Sequence, residues 1–349
     1  MSVADAVQAA EIVVTYREGR GVTNWRKRNE ESPVPGVWPY GLDQIGVTGR
    51  RVASREVPDL AGVRRKLATV LGVRRRAAGG GAPGVALAWD EMTAVPMLAG
   101  LAAQKYFSGV IWATDAVAAG EDSPQLRLAA KALREMDGLW VLSRPQVDKV
   151  REWLGPNCPP VHFLRFGVDP DFYTPRPYPE RPHVVSAGGD RDRDVETLFA
   201  ALQIVRERRP DVECTVQSTS TIQPPAGVRK IAHIPHLGMS ELIGSASVIA
   251  IATRPNLHAS GMTVGLEALS VGRPVVACAT PGMDDYFTDG VNSSLVPPKS
   301  PERMAAAILA YVDDPAAAAQ LGAAGRNAVL ARHTTTTMCA DLAAIVTAG

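Results

Sequence analysis

The chain has 349 residues, of which 46% are hydrophobic and 21% are charged, as in globular proteins large enough for two domains. Its net charge of +1 gives no electrostatic reason to expect nucleic acid or an anionic membrane surface as a partner. No basic-then-apolar leader and no apolar run of transmembrane length occur in the sequence, so we expect a cytoplasmic protein. The four cysteines lie far apart and match no zinc or redox spacing.

The first predicted strand, Glu11–Tyr16, is followed by a glycine-containing loop. Gly19 and Gly21 would allow a ligand to approach the backbone closely, although an ordinary turn explains them equally well. Residues 22–46 are predicted to be irregular and carry Trp25 and Trp38. Long irregular segments with aromatic residues often bind ligands, but simple packing of both tryptophans is the alternative.

A basic helix is predicted over Val63–Arg76, and we interpret its charges as a solvated face. Two buried strands follow, predicted over Val85–Trp89 and Val110–Trp112. Acidic residues come directly after them, and α/β sheets bind ligands at the carboxyl ends of their strands. The candidates for ligand contact are therefore Asp90, Glu91 and Asp115. These acids would serve equally well as caps of the following helices.

A second α/β series begins with a strand predicted over Val184–Ala187, a loop and the helix Val195–Arg208. Arg191 and Arg193 lie in that loop, where a guanidinium group is suited to phosphate oxygens. The alternative is that they only pair with the neighbouring aspartates of the loop.

The most informative stretch is a strand–helix–strand unit from Val248 to Pro298. Its helix, predicted over Met262–Ser270, begins after Ser260-Gly261, so its free N–H groups and positive dipole end would lie at the carboxyl edge of the sheet. Glu267, the only acid in that helix, could accept hydrogen bonds from sugar hydroxyls. The pattern predicts a nucleotide diphosphate site.

This stretch resembles the donor-binding signature of GT-B glycosyltransferases of glycosyltransferase family 4. The matching segments are Glu267-Ala268, Gly272–Val276, Pro281-Gly282 and Leu295–Pro298. The end of the first predicted domain also follows the family pattern, at Gly167, Val168, Asp169, Phe172 and Pro175. One departure is clear, because Ala259 stands where the family has the first of its two glutamates.

The resemblance implies an α/β GT-B fold, with two doubly wound Rossmann-like domains facing across a cleft. Residues 1–176 would form the acceptor-binding domain and residues 177–332 the nucleotide-sugar-binding domain. Residues 333–349 would form a C-terminal helix that crosses back to the first domain.

The resemblance also assigns roles to residues. The expected catalytic residues are Arg193, Glu267 and His258. The expected donor contacts are Gly189, Arg191, Arg193, His236, Ser260, Gly261, Met262, Thr263, Glu267 and Met283. Within that set, Arg193 and the N–H groups of Met262 and Thr263 would hold the diphosphate, and Glu267 the ribose. The acceptor candidates come from the loop and sheet-edge arguments above, and they are Gly19, Gly21, Trp25, Trp38, Asp90, Glu91 and Asp115.

The implied activity is metal-independent, configuration-retaining transfer of a hexose from a UDP- or GDP-sugar, with no cofactor. Asp190-Arg191-Asp192 has the spacing of a metal-binding pair but lies in the predicted phosphate loop. We expect a small-molecule or glycoconjugate acceptor, as in bacterial natural-product biosynthesis, and a monomer or homodimer without nucleic acid. The alternatives are a nucleotide-sugar epimerase on the same fold and a degenerate transferase serving as a partner subunit.

Overall fold

The computed structural model describes residues 11–58 and 83–348, so the predicted basic helix Val63–Arg76 lies outside the described residues. The described residues form two compact units. The first contains 11–31, 36–58, 83–165 and 335–348, and the second contains 32–35 and 166–334. The chain passes between them at Arg165, before the boundary at 176 that was expected from the resemblance.

The first unit alternates strands and helices. Its elements are β1 Ile12–Arg17, α1 Val22–Glu31, a 3₁₀ segment Pro39–Thr48, β2 Val52–Val57, β3 Val85–Ala88, α2 Glu91–Gly100, β4 Lys105–Gly109, α3 Ala113–Ala118, α4 Pro124–Leu133, β5 Gly138–Val141, α5 Arg144–Leu154, β6 Val161–Phe163 and, from the end of the chain, α11 Thr335–Thr347.

The described strands of this unit form one parallel sheet in the order β2-β1-β3-β4-β5-β6. All four residues of β3 are buried, as are all four of β5, which is the pattern of strands covered on both faces. The order runs outward from β1 in both directions, so the topological switch point lies between β1 and β3. Ligands of open α/β sheets bind at such a point, beyond the carboxyl ends of the strands.

Two predictions for this unit are wrong. Residues 22–46 are not irregular, because 22–31 form α1 and 39–48 form the 3₁₀ segment. Residues 22–31 contain neither proline nor glycine and include strong helix formers, a local signal that the aromatic residues obscured. The strand predicted over Val110–Trp112 lies at 105–109 instead.

The displaced strand has a physical cause. The backbone N–H groups of Ile111, Trp112 and Ala113 donate to the buried carboxylate of Glu91, at 2.8, 3.0 and 2.7 Å. These amides therefore turn away from the sheet ladder, and Asp115 lies within helix α3 rather than at a strand end.

The second unit repeats the arrangement. Its elements are β7 His183–Ser186, α6 Val195–Arg208, β8 Glu213–Gln217, β9 Val228–Ile231, α7 His236–Gly244, β10 Val248–Ile251, α8 Met262–Val271, β11 Val275–Cys278, β12 Ser293–Val296, α9 Pro301–Asp313 and α10 Pro315–Arg332.

Its strands form a parallel sheet in the order β12-β11-β10-β7-β8-β9, with the switch point between β7 and β10. The residues of β7, β10 and β11 are all buried. Both units are thus doubly wound Rossmann-like domains.

The last helix, α11, clusters with the first unit, where it packs on the 3₁₀ segment. The Thr336 hydroxyl donates to the Gln44 side chain at 2.6 Å, and the Cys339 thiol donates to the Gly41 carbonyl at 3.3 Å. Within the described residues, no helix combines the length and the apolar content needed to cross a membrane.

The first sheet depends on a close approach at Gly109, the last residue of β4. A Cβ there would lie 2.0 Å from the Trp89 carbonyl oxygen and 2.8 Å from the Trp140 indole nitrogen. We expect Gly109→Ala to lower the free energy of unfolding by about 2 kcal/mol, because two backbones must separate. Chemical denaturation of the purified protein measures the loss.

Gly100→Ala is the matched control, since a Cβ at this helix end meets only a Val57 methyl group, at 3.9 Å. It should leave stability unchanged or slightly raised, as alanine favours a helix. Equal stability of the two variants would contradict the assigned close approach.

Candidate functional site

Two loops meet at the switch point of the second unit. One follows β7 and carries Asp190–Arg193, and the other follows β10 and runs from Thr253 to Gly261. An antiparallel bridge joins Arg193 to Thr253. The Asp194 N–H donates to the Ala252 carbonyl at 3.0 Å, and the Arg254 N–H donates to the Asp192 carbonyl at 2.8 Å. The loops therefore form one continuous surface at the carboxyl edge of the sheet.

Arg193 lies at the centre of this surface. Its Nη2 donates to the Ala187 carbonyl, whereas its buried Nε and Nη1 have no hydrogen-bond partner among the described residues. A Cβ on Gly188 would lie 2.4 Å from Nη2, and one on Gly261 would lie 3.4 Å from Nη1. Desolvation lowers the pKa of Arg193 to about 10, so the group still carries its charge at neutral pH. Gly188 thus makes room for a cation with unused donors.

The N-terminus of helix α8 adds further donors. Gly261 precedes the helix with φ 89°, and no side chain caps it. Among the described residues, the N–H groups of Thr263 and Val264 have no recorded acceptor. The Met262 N–H was expected to hold the diphosphate. It donates instead to the Ala259 carbonyl at 3.0 Å, so it is not free for a ligand. The remaining donors and the helix dipole suit an anion close to Arg193.

The turn before α8 explains the departure at Ala259. Ala259 is fully buried and has φ 52°, a left-handed conformation that alanine rarely adopts. The Asn256 side chain holds the turn, accepting from the Ser260 N–H at 2.8 Å and donating to the Arg254 carbonyl at 2.8 Å. A methyl group packed in the interior thus stands at the position where the resemblance would place a glutamate.

His258 is buried between the two loops, with its Nε2 3.2 Å from Asp190 Oδ2 and 3.9 Å from Asp192 Oδ2. Although desolvation opposes the effect, the hydrogen bonds from His258 and from the Asp192 N–H hold the pKa of Asp190 well below its usual range. The ligand atoms of Asp190, Asp192 and His258 all lie within 4.8 Å of one another. This group is where a cation could be held, although sequence reasoning expected no metal.

Arg191 is exposed, and its Nε lies 3.5 Å from Asp192 Oδ2. The structure therefore shows the ion pair that was the alternative to a phosphate role for Arg191. Gly189 is also exposed, His236 is the first residue of α7, and Met283 is buried after Gly282.

Glu267 lies half-buried on α8 beside the Tyr173 hydroxyl, a neighbour that sequence reasoning missed. Desolvation raises the pKa of Glu267 to about 7, with contact from Tyr173 opposing part of the rise. Tyr173 is fixed through its carbonyl, which accepts from the Ser270 hydroxyl at 2.8 Å and from Arg326 Nη1 at 3.4 Å. A carboxylate with a pKa near 7 gains when a ligand supplies hydroxyl donors.

The glycines expected to contact the acceptor pack against Glu56 of β2. The Gly19 N–H donates to its Oε2 at 3.0 Å, and a Cβ on Gly21 would lie 2.6 Å from its Cγ. Trp25 is half-buried on α1 and donates to the Gly36 carbonyl at 3.3 Å. Trp38 is half-buried and precedes the 3₁₀ segment.

The acids of the first unit divide into different roles. Asp90 caps helix α2, with Oδ1 accepting from the Thr93 N–H at 2.8 Å and hydroxyl at 2.9 Å. Glu91 is buried and bound by three backbone amides, so we no longer place it among the acceptor contacts. Desolvation raises the pKa of Glu91 and those amides oppose the rise. Asp115, in the first turn of α3, remains half-exposed.

Tyr40 was not among the acceptor contacts expected from the sequence, whereas Trp25 and Trp38 were. Its ring stacks on that of Trp89, with centroids 4.6 Å apart and an interplanar angle of 17°. Its backbone is left-handed at φ 59°. An aromatic residue in that conformation leaves no pattern in a sequence, so only the coordinates reveal it.

Comparison with known proteins finds similarity to glycosyltransferases. Residues 195–344 match the sequence model of a family described as glycosyl transferase-like. A glycogen synthase of Mycobacterium tuberculosis is 26% identical over 207 residues, covering 56% of this chain and 50% of that protein. A D-inositol 3-phosphate glycosyltransferase of Kribbella flavida is 34% identical over 96 residues, covering 28% of this chain and 22% of that protein. The chain spans about half the length, or less, of these curated relatives.

Solved structures show the fold over nearly the whole chain. Sucrose-phosphate synthase from Thermosynechococcus elongatus superposes with a TM-score of 0.66 at 16% identity, covering 95% of this chain and 96% of the other. HepE of Anabaena, solved with UDP and glucose, gives a TM-score of 0.68 at 14% identity over 97% and 100% of the chains. The chain therefore has the doubly wound GT-B fold of these structures, and its residues 195–344 are similar to the glycosyl transferase-like family.

The raised pKa of Glu267 predicts how stability depends on pH. The folded state holds the proton up to about pH 7, whereas the unfolded chain releases it near the ordinary value of 4.5. The stabilisation is therefore complete below pH 4.5 and is lost as pH rises towards 7. Relative to Glu267→Gln, the wild type should lose on the order of 2 kcal/mol between pH 5 and pH 8 in urea unfolding.

Glu180→Gln, at an exposed position, is the control and should follow the wild type at both pH values. Parallel pH profiles for wild type and Glu267→Gln would show that Glu267 is not desolvated in the folded protein.

Proposed function

We propose that this protein transfers a hexose from a nucleotide-diphosphate sugar to an acceptor hydroxyl. The observation that carries the proposal is Arg193, whose buried Nε and Nη1 have no partner among the described residues and lie beside the uncapped end of α8. Leaving buried charged donors unpaired is costly, so the site is built for an anion that supplies the missing acceptors.

The proposed roles combine the positions of Arg193 and α8 with the roles that the family resemblance implies. Arg193 and the Thr263 N–H hold the diphosphate and stabilise the charge that develops as it departs. Glu267 accepts hydrogen bonds from the ribose, and His258 and Met283 line the sugar pocket. Arg193, Glu267 and His258 are the proposed catalytic groups.

The finer assignments are supported by similarity. HepE has been solved with UDP-glucose and is similar across the whole fold, which supports a UDP-sugar donor here. We propose that the anomeric configuration is retained and that the departing phosphate accepts the proton of the acceptor. The first unit binds the acceptor, which we take to be a small molecule or glycoconjugate of a bacterial cytoplasmic pathway. We propose that the enzyme acts as a monomer or homodimer.

Nucleotide binding provides the first test. The purified protein is heated with UDP, GDP, ADP or dTDP at millimolar concentration, and a ligand that binds only the folded state raises Tm. We expect UDP to give the largest shift. Arg193→Ala should weaken binding by about 10- to 100-fold, because charged hydrogen bonds contribute about 1.5–3 kcal/mol.

Arg209→Ala is the control. Arg209 follows the C-terminal end of α6, whereas Arg193 precedes its N-terminal end, and Arg209 forms exposed ion pairs with Asp211 and Asp313. It should bind nucleotide like the wild type. Failure of all four nucleotides to raise Tm would contradict the proposed donor site. Consumption of UDP-sugar without added acceptor, giving an isomeric UDP-sugar, would favour the epimerase instead.

Metal dependence is a separate test. Because a guanidinium group and a helix N-terminus provide the proposed phosphate contacts, we expect turnover to persist after treatment with EDTA and to change less than twofold with added Mg²⁺. The control is Asp192→Asn, which removes one carboxylate from the group with Asp190 and His258. Loss of turnover in EDTA, restored by Mg²⁺ in the wild type alone, would instead assign a metal to that group.

A further inference from the structure

The switch point of the first sheet carries an exposed aromatic ring. Trp89 directly follows β3 and is 4% exposed, with Trp140 behind it at a centroid distance of 6.3 Å. Tyr40 stacks on Trp89 and is itself 45% exposed. Few large apolar residues of the described chain are as accessible, and this one lies where an open α/β sheet binds its ligand.

The backbone holds Tyr40 in that place at an energetic cost. Tyr40 has φ 59° and ψ 11°, and Gly41 has φ 63° and ψ 26°. A left-handed conformation costs a residue with a side chain about 1–2 kcal/mol. The neighbouring Pro39 carbonyl accepts from the Tyr16 hydroxyl at 3.3 Å, and the Gly41 N–H donates to the Trp38 carbonyl at 2.8 Å. Strain fixed by its surroundings in this way is typical of ligand sites.

Polar groups accompany the ring. Desolvation and the Asp90 carboxylate raise the pKa of Tyr40 to about 12, with Arg20 opposing them, so both charges lie near the phenol. Asp90 Oδ1 is used in capping α2, whereas Oδ2 accepts no hydrogen bond from the described residues. A stacking face beside an available carboxylate oxygen combines apolar and polar recognition in one place.

We propose that the Tyr40 ring, backed by Trp89, is the surface on which the acceptor binds, and that the acceptor presents a saturated polyhydroxylated ring, a sugar or cyclitol. The C–H groups of such a ring pack on the negative face of the phenol, and one of its hydroxyl groups donates to Asp90 Oδ2. An aromatic acceptor with a single hydroxyl could stack on the ring, but the hydroxyl to be glycosylated would then also be its only donor to the carboxylate, whereas a polyol has further hydroxyl groups for that contact. This inference rests on the proposed glycosyl transfer, because it names the class of acceptor.

Saturation-transfer difference NMR on the full chain with saturating UDP tests it, using methyl α-glucoside, myo-inositol and benzyl alcohol as probes. We expect at least one of the two polyols to receive saturation at its ring C–H protons. Tyr40→Asn removes the ring while asparagine tolerates the left-handed backbone, so that signal should fall at least fivefold. Tyr40→Phe keeps the ring and should stay within twofold of the wild type.

Val47→Asn is the matched control, because Val47 is 64% exposed on the same 3₁₀ segment, and its polyol signal should remain. Saturation of benzyl alcohol alone would overturn the proposed class of acceptor. A polyol signal that survives in Tyr40→Asn, or no signal from any probe, would overturn the proposal that the acceptor binds on the Tyr40 ring.

The shift of Tm with UDP, measured on the same samples, separates the two proposals. If UDP still raises Tm but no polyol binds, only the proposed acceptor surface at Tyr40 is rejected. Polyol binding without any UDP shift rejects the proposed donor and leaves a polyol-binding surface.

Discussion

The second unit depends on one desolvated cation. The Arg193 guanidinium takes one carbonyl acceptor from the chain and keeps two buried nitrogens without a partner among the described residues. Gly188 makes room for the guanidinium group, since a Cβ there would lie 2.4 Å from Nη2, whereas a Cβ on Gly261 would lie 2.5 Å from an Ile251 methyl group. The bridge from Arg193 to Thr253 then fixes the loop before α8. The same contacts therefore set the candidate anion site and the fold of the switch point.

Both units place local strain at their switch points. The described residues include three with a side chain and a positive φ, namely Tyr40, Ala259 and Lys299. Two of these lie at the carboxyl edges of the sheets, one beside Trp89 and one before α8. A strained residue persists only where its surroundings hold it. The Tyr16 hydroxyl of β1 donates to the Pro39 carbonyl beside Tyr40, and the Asn256 side chain accepts from the Ser260 N–H beside Ala259.

Glu91 and Glu267 have identical side chains but different environments, and the environments give them different roles. Glu91 is satisfied by three backbone amides and serves the path of the chain after β4. Glu267 is held by no such set of amides from the described residues, and desolvation raises its pKa to about 7, with contact from Tyr173 opposing part of the rise. The first is complete without a ligand, whereas the second gains from one. This difference explains why Glu91 is left out of the proposed site, while Glu267 is retained in it.

The amino-acid sequence by itself indicated the strand–helix–strand unit before Pro298, and the family resemblance that it carries implied the doubly wound fold. Buried apolar runs, glycine breaks and helix periodicity are local signals, so they can be read without the structure. Only the tertiary structure decided which donors are free. The Met262 N–H is consumed by a turn at Ala259, and the amides after Gly109 are consumed by Glu91. It also decided that Tyr40 is presented on Trp89, because stacking and left-handed backbone depend on contacts between residues far apart in the chain.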